Sequence, residues 1–305
     1  MVGTVSAFQI ARMISFLPTS LRWLLQHPVC RRHPLRTISR WIYWQVRYRL
    51  TSAPLRMDFI RGTMLEIYPR EGLTGYWYVT LPDFDEQMFL LRFLRAGDRF
   101  LDVGANAGAF SVMAASSGCL AAAFEPVPET FERLKANARL NAHIGSIEVM
   151  PKAVGAQEGV MHMTTRLGTG NHLIEETDGV ADSVAVQVTT LDAWAATHGF
   201  PSFIKIDVEG HELEVIQGGA DLLRSDMLLG FLIETFRSHN WQLPKLREME
   251  AVLAARGFFP YDYDAAANQL RSLKLPHEGG NNTLYLRDLK TVSERLENVR
   301  DDFHY

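Results

Sequence analysis

The sequence has few cysteines and no long run of apolar residues. Its two cysteines, Cys30 and Cys119, cannot form a disulfide framework, and neither belongs to a CxxC pair. Each is expected to be a small buried residue in a reducing compartment. The apolar stretches near the N-terminus, MISFL and LRWLL, are far shorter than the ~20 residues of a membrane span. A signal peptide fits poorly because positive charge follows the apolar part. We therefore expect a cytoplasmic protein.

Acidic residues are nearly missing from the first 60 positions. That segment carries nine arginines and one acid, Asp58, whereas the rest of the chain carries 22 basic and 34 acidic residues. An acidic remainder disfavours a nucleic-acid substrate held by its phosphates. The stretch RTISRWIYWQVRYRL places apolar residues at helical spacing between arginines. Such a helix can pack on its own domain, or it can lie against the anionic inner face of a membrane.

The full chain has 305 residues, of which 47% are apolar and 22% are charged, and this is the composition of an ordinary globular protein. We find no internal repeat and no low-complexity segment. The predicted organisation is a basic helical extension rich in Trp and Arg (1–56), a main domain (57–290) and a C-terminal tail (291–305).

Strands and helices alternate from about residue 99. The strands RFLDV, LAAAFEP and IEVMPKAV are separated by helical patterns, and FIKIDVEG and LLGFLIETF continue the series. This alternation predicts a doubly wound α/β fold with helices on both faces of a parallel sheet. Before it, TMLEIYP and GYWYVTL suggest a small β element. Within it, GVMHMTT and VAVQVTTL alternate like antiparallel strands, and GFFPYDYD and NNTLYLRDL look like a closing pair.

The stretch FLDVGANAGAF, residues 100–110, joins a buried strand to a glycine-containing loop. Gly104 and Gly108 allow a tight turn and close approach of a ligand. A dinucleotide fingerprint needs a middle glycine, where this chain has Asn106, and Asp102 would repel a pyrophosphate. S-adenosylmethionine is cationic and phosphate-free, so it suits this carboxylate. Glu125 ends the next strand, where an acid can accept hydrogen bonds from both ribose hydroxyls.

Together with LDAW, NNTLYLRD and FIKIDVEGHELEVIQGGA, these stretches resemble the FkbM family of S-adenosylmethionine-dependent methyltransferases, over roughly residues 85–290. The resemblance implies a seven-stranded, mostly parallel sheet whose last strand is antiparallel. It also implies methyl transfer, usually to a hydroxyl oxygen of a sugar, a glycan or a small natural product. The donor-binding residues expected on this basis are Asp102, Gly104, Ala105, Asn106, Gly108, Ser111, Glu125, Pro126 and Asp207.

The motif KIDVEGHE supplies the candidate catalytic groups. Strand alternation places Lys205, Asp207 and Glu209 on one face, where an ion-pair network with the lysine is plausible. Removing the acceptor's hydroxyl proton needs a base near neutral pKa, and His211 has the right type and place. Glu209 or Asp207 could share or replace that role. Alternatively, His211 is a solvated residue in the first turn of a helix.

Further candidates lie in the neighbouring loops. Glu234 ends the following strand and should face the same cleft. Asn171 and His172, in GTGNHLIEE, could close over donor or acceptor, and the family pattern usually has an asparagine there; Gly-Asn could equally make a turn. The acids and His211 could in principle hold a divalent cation, but their spacing is not that of a metal site, so no metal is expected.

Two other functions remain as alternatives to the methyltransferase. One is a nucleotide-dependent oxidoreductase, which Asn106 and Asp102 disfavour. The other is a binding module that keeps the fold without turnover. The sequence leaves the acceptor and the oligomeric state open.

Overall fold

A computed structural model describes residues 18–69, 72–164, 173–174, 183–235, 243–274 and 282–297. The strands are β1 (Leu55–Asp58), β2 (Met64–Ile67), β3 (Arg99–Val103), β4 (Leu120–Phe124), β5 (Ile147–Met150), β6 (Lys152–Val154), β7 (Gly159–Thr164), β8 (Leu173–Ile174), β9 (Ser183–Thr189), β10 (Phe203–Ile206), β11 (Gly230–Glu234), β12 (Phe259–Asp264), β13 (Gln269–Ser272) and β14 (Asn282–Leu286). The helices are α1 (Thr19–Gln26), α2 (Pro28–Arg32), α3 (Pro34–Leu50), α4 (Thr74–Val79), α5 (Phe84–Phe93), α6 (Ala109–Ser116), α7 (Pro128–Leu140), α8 (Leu191–His198), α9 (Glu212–Gln217), α10 (Leu243–Ala254) and α11 (Leu289–Glu297).

The central sheet has eight strands in the order β13-β12-β14-β11-β10-β3-β4-β5. Neighbouring strands from β11 to β5 are parallel, and β14 runs antiparallel to both β11 and β12. The predicted doubly wound sheet with a late antiparallel strand is confirmed. An eighth strand, β13, extends the edge by pairing antiparallel with β12.

The parallel strands are apolar because helices cover both of their faces. Phe100 and Phe203 belong to one core cluster, whereas Leu101 and Ile204, one position further along each strand, belong to the other. Side chains of successive strand residues point to opposite faces, so a strand buried on both sides reads as a continuous apolar run. Two polar residues interrupt these runs at matched positions, Asp102 on β3 and Lys205 on β10, and they are partners in the parallel register.

The chain leaves β3 and β10 in opposite directions across the sheet. After β3 it continues through β4 to β5, and after β10 it continues to β11, so the strand order reverses between β3 and β10. Ligands of open α/β sheets bind at the carboxyl ends of the strands beside such a reversal. The pair Asp102 and Lys205 therefore marks the expected position of the site.

A second sheet contains the pair of antiparallel strands expected before residue 190. Its order is β6-β9-β7-β8, with β7 and β9 antiparallel, as predicted. The stretch IEVMPKAV was expected to be one strand, but it divides at Pro151 into β5 in the central sheet and β6 in this second sheet. Proline has no N–H to donate to a strand ladder, so the division falls where the ladder would be broken.

The prediction of strand structure for GYWYVTL is wrong. Most of this stretch forms α4, whose Tyr76, Tyr78 and Val79 are buried. The alternation of its aromatic residues mimics a strand, but tertiary packing decides: Trp77 contacts Tyr43 and Trp44 of α3 through ring pairs. The other part of the predicted β element is a hairpin of β1 and β2.

The helices at both ends of the described chain share the central core. Leu24, Cys30 and Trp44 from α1–α3 are buried in the same cluster as Val292 and Leu296 of α11. Cys119 is buried in that cluster as well, and both cysteines are free thiols. None of the helices in the described ranges is both long and apolar enough to span a membrane.

Candidate active site

A cavity of about 380 Å³ opens at the carboxyl ends of β3, β4, β10 and β11. Its volume lies within the roughly 300–1,000 Å³ of small-molecule sites. Of the predicted donor-binding residues, six line it: Gly104, Ala105, Asn106, Glu125, Pro126 and Asp207. Glu209 and Glu234 line it too. The cavity lies where the sheet topology predicts a ligand site.

The loop after β3 can take its shape only with glycine at its first position. Gly104 has φ of +76°, and a Cβ there would lie 1.8 Å from the carbonyl oxygen of Asp207. The loop after β3 is thus packed directly on the backbone that follows β10. Gly108 also has positive φ, and a Cβ there would meet Leu134 at 2.5 Å. Gly108 therefore lets the loop pack closely against Leu134, and it does not line the cavity.

Glu125 and Asn106 fix each other across the cavity floor. Oε2 of Glu125 accepts the backbone N–H of Asn106 at 3.0 Å, and Oε1 accepts the N–H of Val127 at 2.9 Å. Each oxygen keeps a lone pair for a ligand hydroxyl. Burial raises the pKa of Glu125 to about 7, against the lowering effect of the two N–H donors. The side chain of Asn106 accepts the N–H of Ala107, so it stabilises the loop itself.

Asp102 lies beneath the cavity and does not line it. Its side chain is fully buried, accepts a hydrogen bond from Ser111 Oγ at 2.6 Å and lies 3.6 Å from Lys205 Nζ. Ser111 is also fully buried and outside the lining. Burial raises the pKa of Asp102, while the charge of Lys205 and the hydroxyl of Ser111 lower it. We expected Asp102 among the donor-binding residues; the structure places it beside Lys205 and outside the lining of the cavity.

Lys205 connects the two loops of the site. Its Nζ donates to the carbonyl of Gly104 at 3.0 Å and lies 3.0 Å from Oδ2 of Asp207. Burial would lower the pKa of this amine, but the carboxylates of Asp207 and Asp102 outweigh it and raise the pKa. The predicted ion-pair network of KIDVEGHE is therefore present. It holds Asp207 at the cavity wall as a carboxylate.

The segment after β10 is a tight loop. Glu209 has φ of +54°, in the left-handed region that non-glycine residues rarely adopt, and Gly210 follows with φ of +102°. Oε1 of Glu212 accepts the backbone N–H groups of Val208 and Gly210, which closes the loop. The sequence analysis did not select Glu212. The capping contacts show that it shapes the loop that presents Glu209.

Three carboxylates meet at this end of the cavity. Asp207, Glu209 and Glu234 bring carboxylate oxygens within 4.8 Å of one another. Burial and then the charge of Asp207 raise the pKa of Glu209 to about 7. Burial and the same charge raise the pKa of Glu234, whose protonated carboxyl hydrogen-bonds Asp207. Burial opposes the ionisation of Asp207, but Lys205 and Glu234 overcome it and lower the pKa.

The same three carboxylates are also the group whose spacing could hold a metal ion. A divalent cation there would compete with Lys205 for Asp207, since the ammonium group already occupies one of its oxygens. It would also displace the proton shared with Glu234. The ammonium group of Lys205 and the proton on Glu234 already balance part of the negative charge of the cluster. The expectation of no metal stays a prediction.

The other predicted residues are placed less centrally. His211 is the N-cap residue of α9 and is not among the residues that line the cavity. Asn171 and His172 lie outside the described residues. Conversely, Gly72, Leu73, Tyr76 and Asp83 line the cavity although the sequence gave no reason to select them. They come from the segment before β3, far along the chain from the motifs.

Comparison with known proteins identifies the family of this chain. The profile of the Methyltransferase FkbM domain matches residues 102–260, slightly more than half of the chain. The chain belongs to the FkbM methyltransferase family. This is a family of S-adenosylmethionine-dependent methyltransferases, which favours the predicted cofactor over the nicotinamide or flavin nucleotides of an oxidoreductase.

Individual relatives are distant. The hexuronic acid methyltransferase AglP of Haloferax volcanii is 29% identical over 150 residues, which cover 45% of this chain and 56% of that protein. The FkbM methyltransferase of Methylobacillus flagellatus KT superposes with a TM-score of 0.44 at 16% identity, covering 70% of this chain and 52% of the other. The tRNA (uracil-54, C5)-methyltransferase of Pyrococcus abyssi gives 0.40 at 10% identity, covering 64% and 37%. This chain thus spans about half the length of the first two relatives.

Proposed function

We propose that this protein is an S-adenosylmethionine-dependent O-methyltransferase that acts on a hydroxyl group of a sugar, a glycan or a small natural product. The observation that supports this most directly is the charge layout of the cavity. Glu125 stands at one end, positioned by two backbone N–H groups, and the Asp207, Glu209 and Glu234 cluster stands at the other. The first suits a ribose diol and the second suits a cationic centre beside a proton acceptor.

The residues present fit the donor. Glu125 has lone pairs available for two hydroxyls, and the loop from Gly104 to Asn106 brings backbone within reach of a ligand. Asp207 is kept ionised by Lys205 and provides negative charge next to the cavity. When bound, S-adenosylmethionine supplies an electrophilic methyl group on a positively charged sulfur. The protein's task is then to align the acceptor and remove its proton.

Glu209 is the group we propose as the base. It lines the cavity, and its pKa of about 7 allows it to be ionised and still basic at neutral pH. Transfer would break the bond between the methyl carbon and the sulfur, leave S-adenosylhomocysteine, and form the bond from the methyl carbon to the acceptor oxygen. The acceptor's O–H bond would break, and its proton would pass to the Glu209 carboxylate. Asp207 stays ionised and Glu234 stays protonated, so the charge of the two acids beside Glu209 does not change. His211, the first candidate from the sequence, lies one residue beyond the loop and outside the lining.

A sugar acceptor is proposed on the strength of one relative. The Haloferax volcanii protein is named for methylating a hexuronic acid, and it is 29% identical to this chain over 150 residues. Asn171 and His172 remain proposed acceptor contacts on the sequence pattern alone.

The test is donor binding followed by product analysis. S-adenosylhomocysteine should raise the melting temperature of the purified protein, and NAD should not. Incubation with methyl-labelled S-adenosylmethionine and a panel of hexoses, hexuronic acids and their oligosaccharides should give a product whose label resists mild base, as a methyl ether does and a methyl ester does not. Donor binding without transfer to any hydroxyl compound would favour a binding module, and stabilisation by NAD would favour an oxidoreductase.

We propose the domain division expected from the sequence, with residues 57–290 as the methyltransferase domain flanked by the helical extension 1–56 and the tail 291–305. The packing of α1–α3 and α11 into the central core supports a closely attached extension and tail. Both would unfold together with the domain.

Helix α3 also supports a peripheral membrane contact, which we propose as a second property. Its outward face carries Leu35, Ile42, Tyr43, Val46 and Leu50, all exposed. Leu35 and Leu50 are 85% and 79% exposed, which is unusual for leucine. Arg36 and Arg49, both exposed, flank this stripe, and residues 18–57 contain no acid. An apolar stripe flanked by arginines is the pattern of helices that lie on anionic lipid.

A further inference from the structure

Part of the cavity wall comes from a segment outside the family match. Tyr76 at the middle of α4 and Asp83 just before α5 line the cavity, whereas the matched region begins at residue 102. No motif of the family covers them. Any part they play is therefore a property of this segment, which the sequence analysis did not associate with the site.

Gln87 fixes both residues. Its side chain is fully buried; Oε1 accepts the backbone N–H of Asp83 at 3.1 Å, and Nε2 donates to Oη of Tyr76 at 2.9 Å. Oη of Tyr76 therefore acts as an acceptor toward Gln87, which directs its own O–H proton elsewhere. Within the described residues this is the one hydrogen bond that Oη makes. The hydroxyl remains a donor for a group in the cavity.

Both residues line the cavity near Lys205 and Asp207. The charges that act on Asp83 are those of Lys205 and Asp207, and the charges that act on Tyr76 are those of Asp83, Asp102 and Asp207. If Glu125 binds the ribose, the other half of the donor, its methionine portion, reaches toward this part of the cavity. That portion carries an ammonium group and a carboxylate.

The ammonium group of the methyl donor needs a hydrogen-bond acceptor, and Asp102 does not provide one. Asp102 is fully buried and engaged by Ser111 and Lys205. Asp207 is already paired with Lys205, whereas Asp83 lines the cavity and has no ion pair among the described residues. Burial raises the pKa of Asp83 to about 6 and outweighs the lowering effect of the Lys205 charge.

The carboxylate of the donor needs a hydrogen-bond donor in a cavity whose lining includes five acids. Asp83, Glu125, Asp207, Glu209 and Glu234 all contribute acceptors to the lining. The O–H of Tyr76 is a side-chain donor in the lining, and Gln87 orients it. Burial, followed by the nearby carboxylates, raises the pKa of Tyr76 well above its ordinary value, so the proton stays on the oxygen.

We propose that Asp83 and Tyr76 bind the methionine end of the methyl donor, Asp83 through the ammonium group and Tyr76 through the carboxylate. This inference rests on the proposed use of S-adenosylmethionine. It assigns donor recognition to the segment 72–87 in addition to the family motifs. It also gives Gln87 the role of a positioning residue for both.

The experiment compares two ligands that differ only at the proposed contact. S-adenosylhomocysteine and 5′-methylthioadenosine share the adenosine and the thioether sulfur, but the second lacks the amino-acid group. By calorimetric titration, Asp83→Asn and Tyr76→Phe should each weaken S-adenosylhomocysteine binding by roughly 10- to 100-fold, the loss of one hydrogen bond to a charged group. Binding of 5′-methylthioadenosine should change by less than about twofold, because the adenosine contacts remain.

Asp85→Asn is the matched control. Asp85 lies two residues away, accepts the N–H of Ala265 and does not line the cavity, so its replacement should leave both affinities unchanged. Equal weakening of both ligands in the two test variants would mean a general disturbance of the cavity and would overturn the proposal. Unchanged S-adenosylhomocysteine affinity with a raised acceptor KM in Asp83→Asn would also overturn it, in favour of acceptor binding. If the unaltered protein binds neither ligand, the proposed function fails first, and this inference with it.

Discussion

The ammonium group of Lys205 lies 3.0 Å from Oδ2 of Asp207. The same group lies 3.6 Å from Asp102 and donates to the carbonyl of Gly104, so one cation joins the ends of β3 and β10. The strand register makes this possible, because Lys205 and Asp102 are direct partners in adjacent parallel strands. A structural ion pair therefore also sets the charge of the cavity wall.

Replacing Lys205 with methionine should destabilise the protein by about 3–5 kcal/mol, the usual cost of leaving a buried partner unpaired. Asp102 would remain fully buried without its cation. Urea unfolding measures this loss. Lys135→Met, at an exposed pair with Glu132, is the control and should cost less than about 1 kcal/mol. The double variant Lys205→Met/Asp102→Asn should recover part of the loss; a Lys205→Met protein as stable as the parent would contradict the role given to this pair.

Glu209→Gln should lower the turnover number by about 10²-fold or more, the usual contribution of a general base. Since the ionised carboxylate is the active form, kcat of the parent should rise with pH and level off above the pKa of about 7. This rise should disappear in Glu209→Gln. His211→Ala should change kcat by less than about tenfold, because His211 does not line the cavity. A large loss in His211→Ala, with little loss in Glu209→Gln, would restore the histidine as the base.

Glu125→Gln should weaken S-adenosylhomocysteine and 5′-methylthioadenosine to a similar extent, by roughly tenfold or more. The amide cannot accept both the N–H of Asn106 and the N–H of Val127 while also serving two ribose hydroxyls. Both ligands carry the ribose, so the pattern differs from the one expected for Asp83→Asn. Calorimetry with adenosine as a third ligand checks it. A loss of affinity confined to S-adenosylhomocysteine would mean that Glu125 contacts the amino-acid end of the ligand.

The protein should bind vesicles that contain phosphatidylglycerol and should not bind pure phosphatidylcholine vesicles in a sedimentation assay. Arg36→Gln/Arg49→Gln should weaken this binding roughly 30-fold, since each basic residue near an anionic surface contributes about 1 kcal/mol. Ile42→Ser/Val46→Ser should weaken it through the lost apolar contact. Val160→Ser, also exposed but on β7, is the control. A different result would be a parent protein that forms dimers and does not bind vesicles, together with an Ile42→Ser/Val46→Ser variant that no longer forms dimers. That result would indicate that this face contacts a second copy of the chain.

Chelation should leave methyl transfer within about twofold of its original rate. Lys205 occupies Asp207, and Glu234 shares a proton with it, so the carboxylate cluster has internal partners. The assay is run after EDTA treatment and gel filtration, and again with added Mg²⁺. Activity that disappears with EDTA and returns with Mg²⁺ would show that the cluster of Asp207, Glu209 and Glu234 holds a metal instead.

The sequence predicts this site best where the participating residues are close along the chain. Gly104, Asn106 and Glu125 belong to one strand-helix-strand unit, and the geometry of such a unit is almost fixed by its local pattern. The same holds for Lys205 and Asp207. The sequence does not show burial: Asp102 has the residue type of a ligand contact, but its position one residue before the strand end leaves its side chain fully buried.

The alternation of apolar residues, the two glycines and the acids at the strand ends determined the fold class and the kind of ligand, because these depend on short-range geometry that each segment carries with it. Only the folded chain shows that Tyr76 and Asp83 line the cavity and that GYWYV forms a helix against α3. Only the folded chain shows that Glu209 lines the cavity and His211 does not. Those outcomes depend on packing between segments far apart along the chain, and no local pattern encodes such contacts.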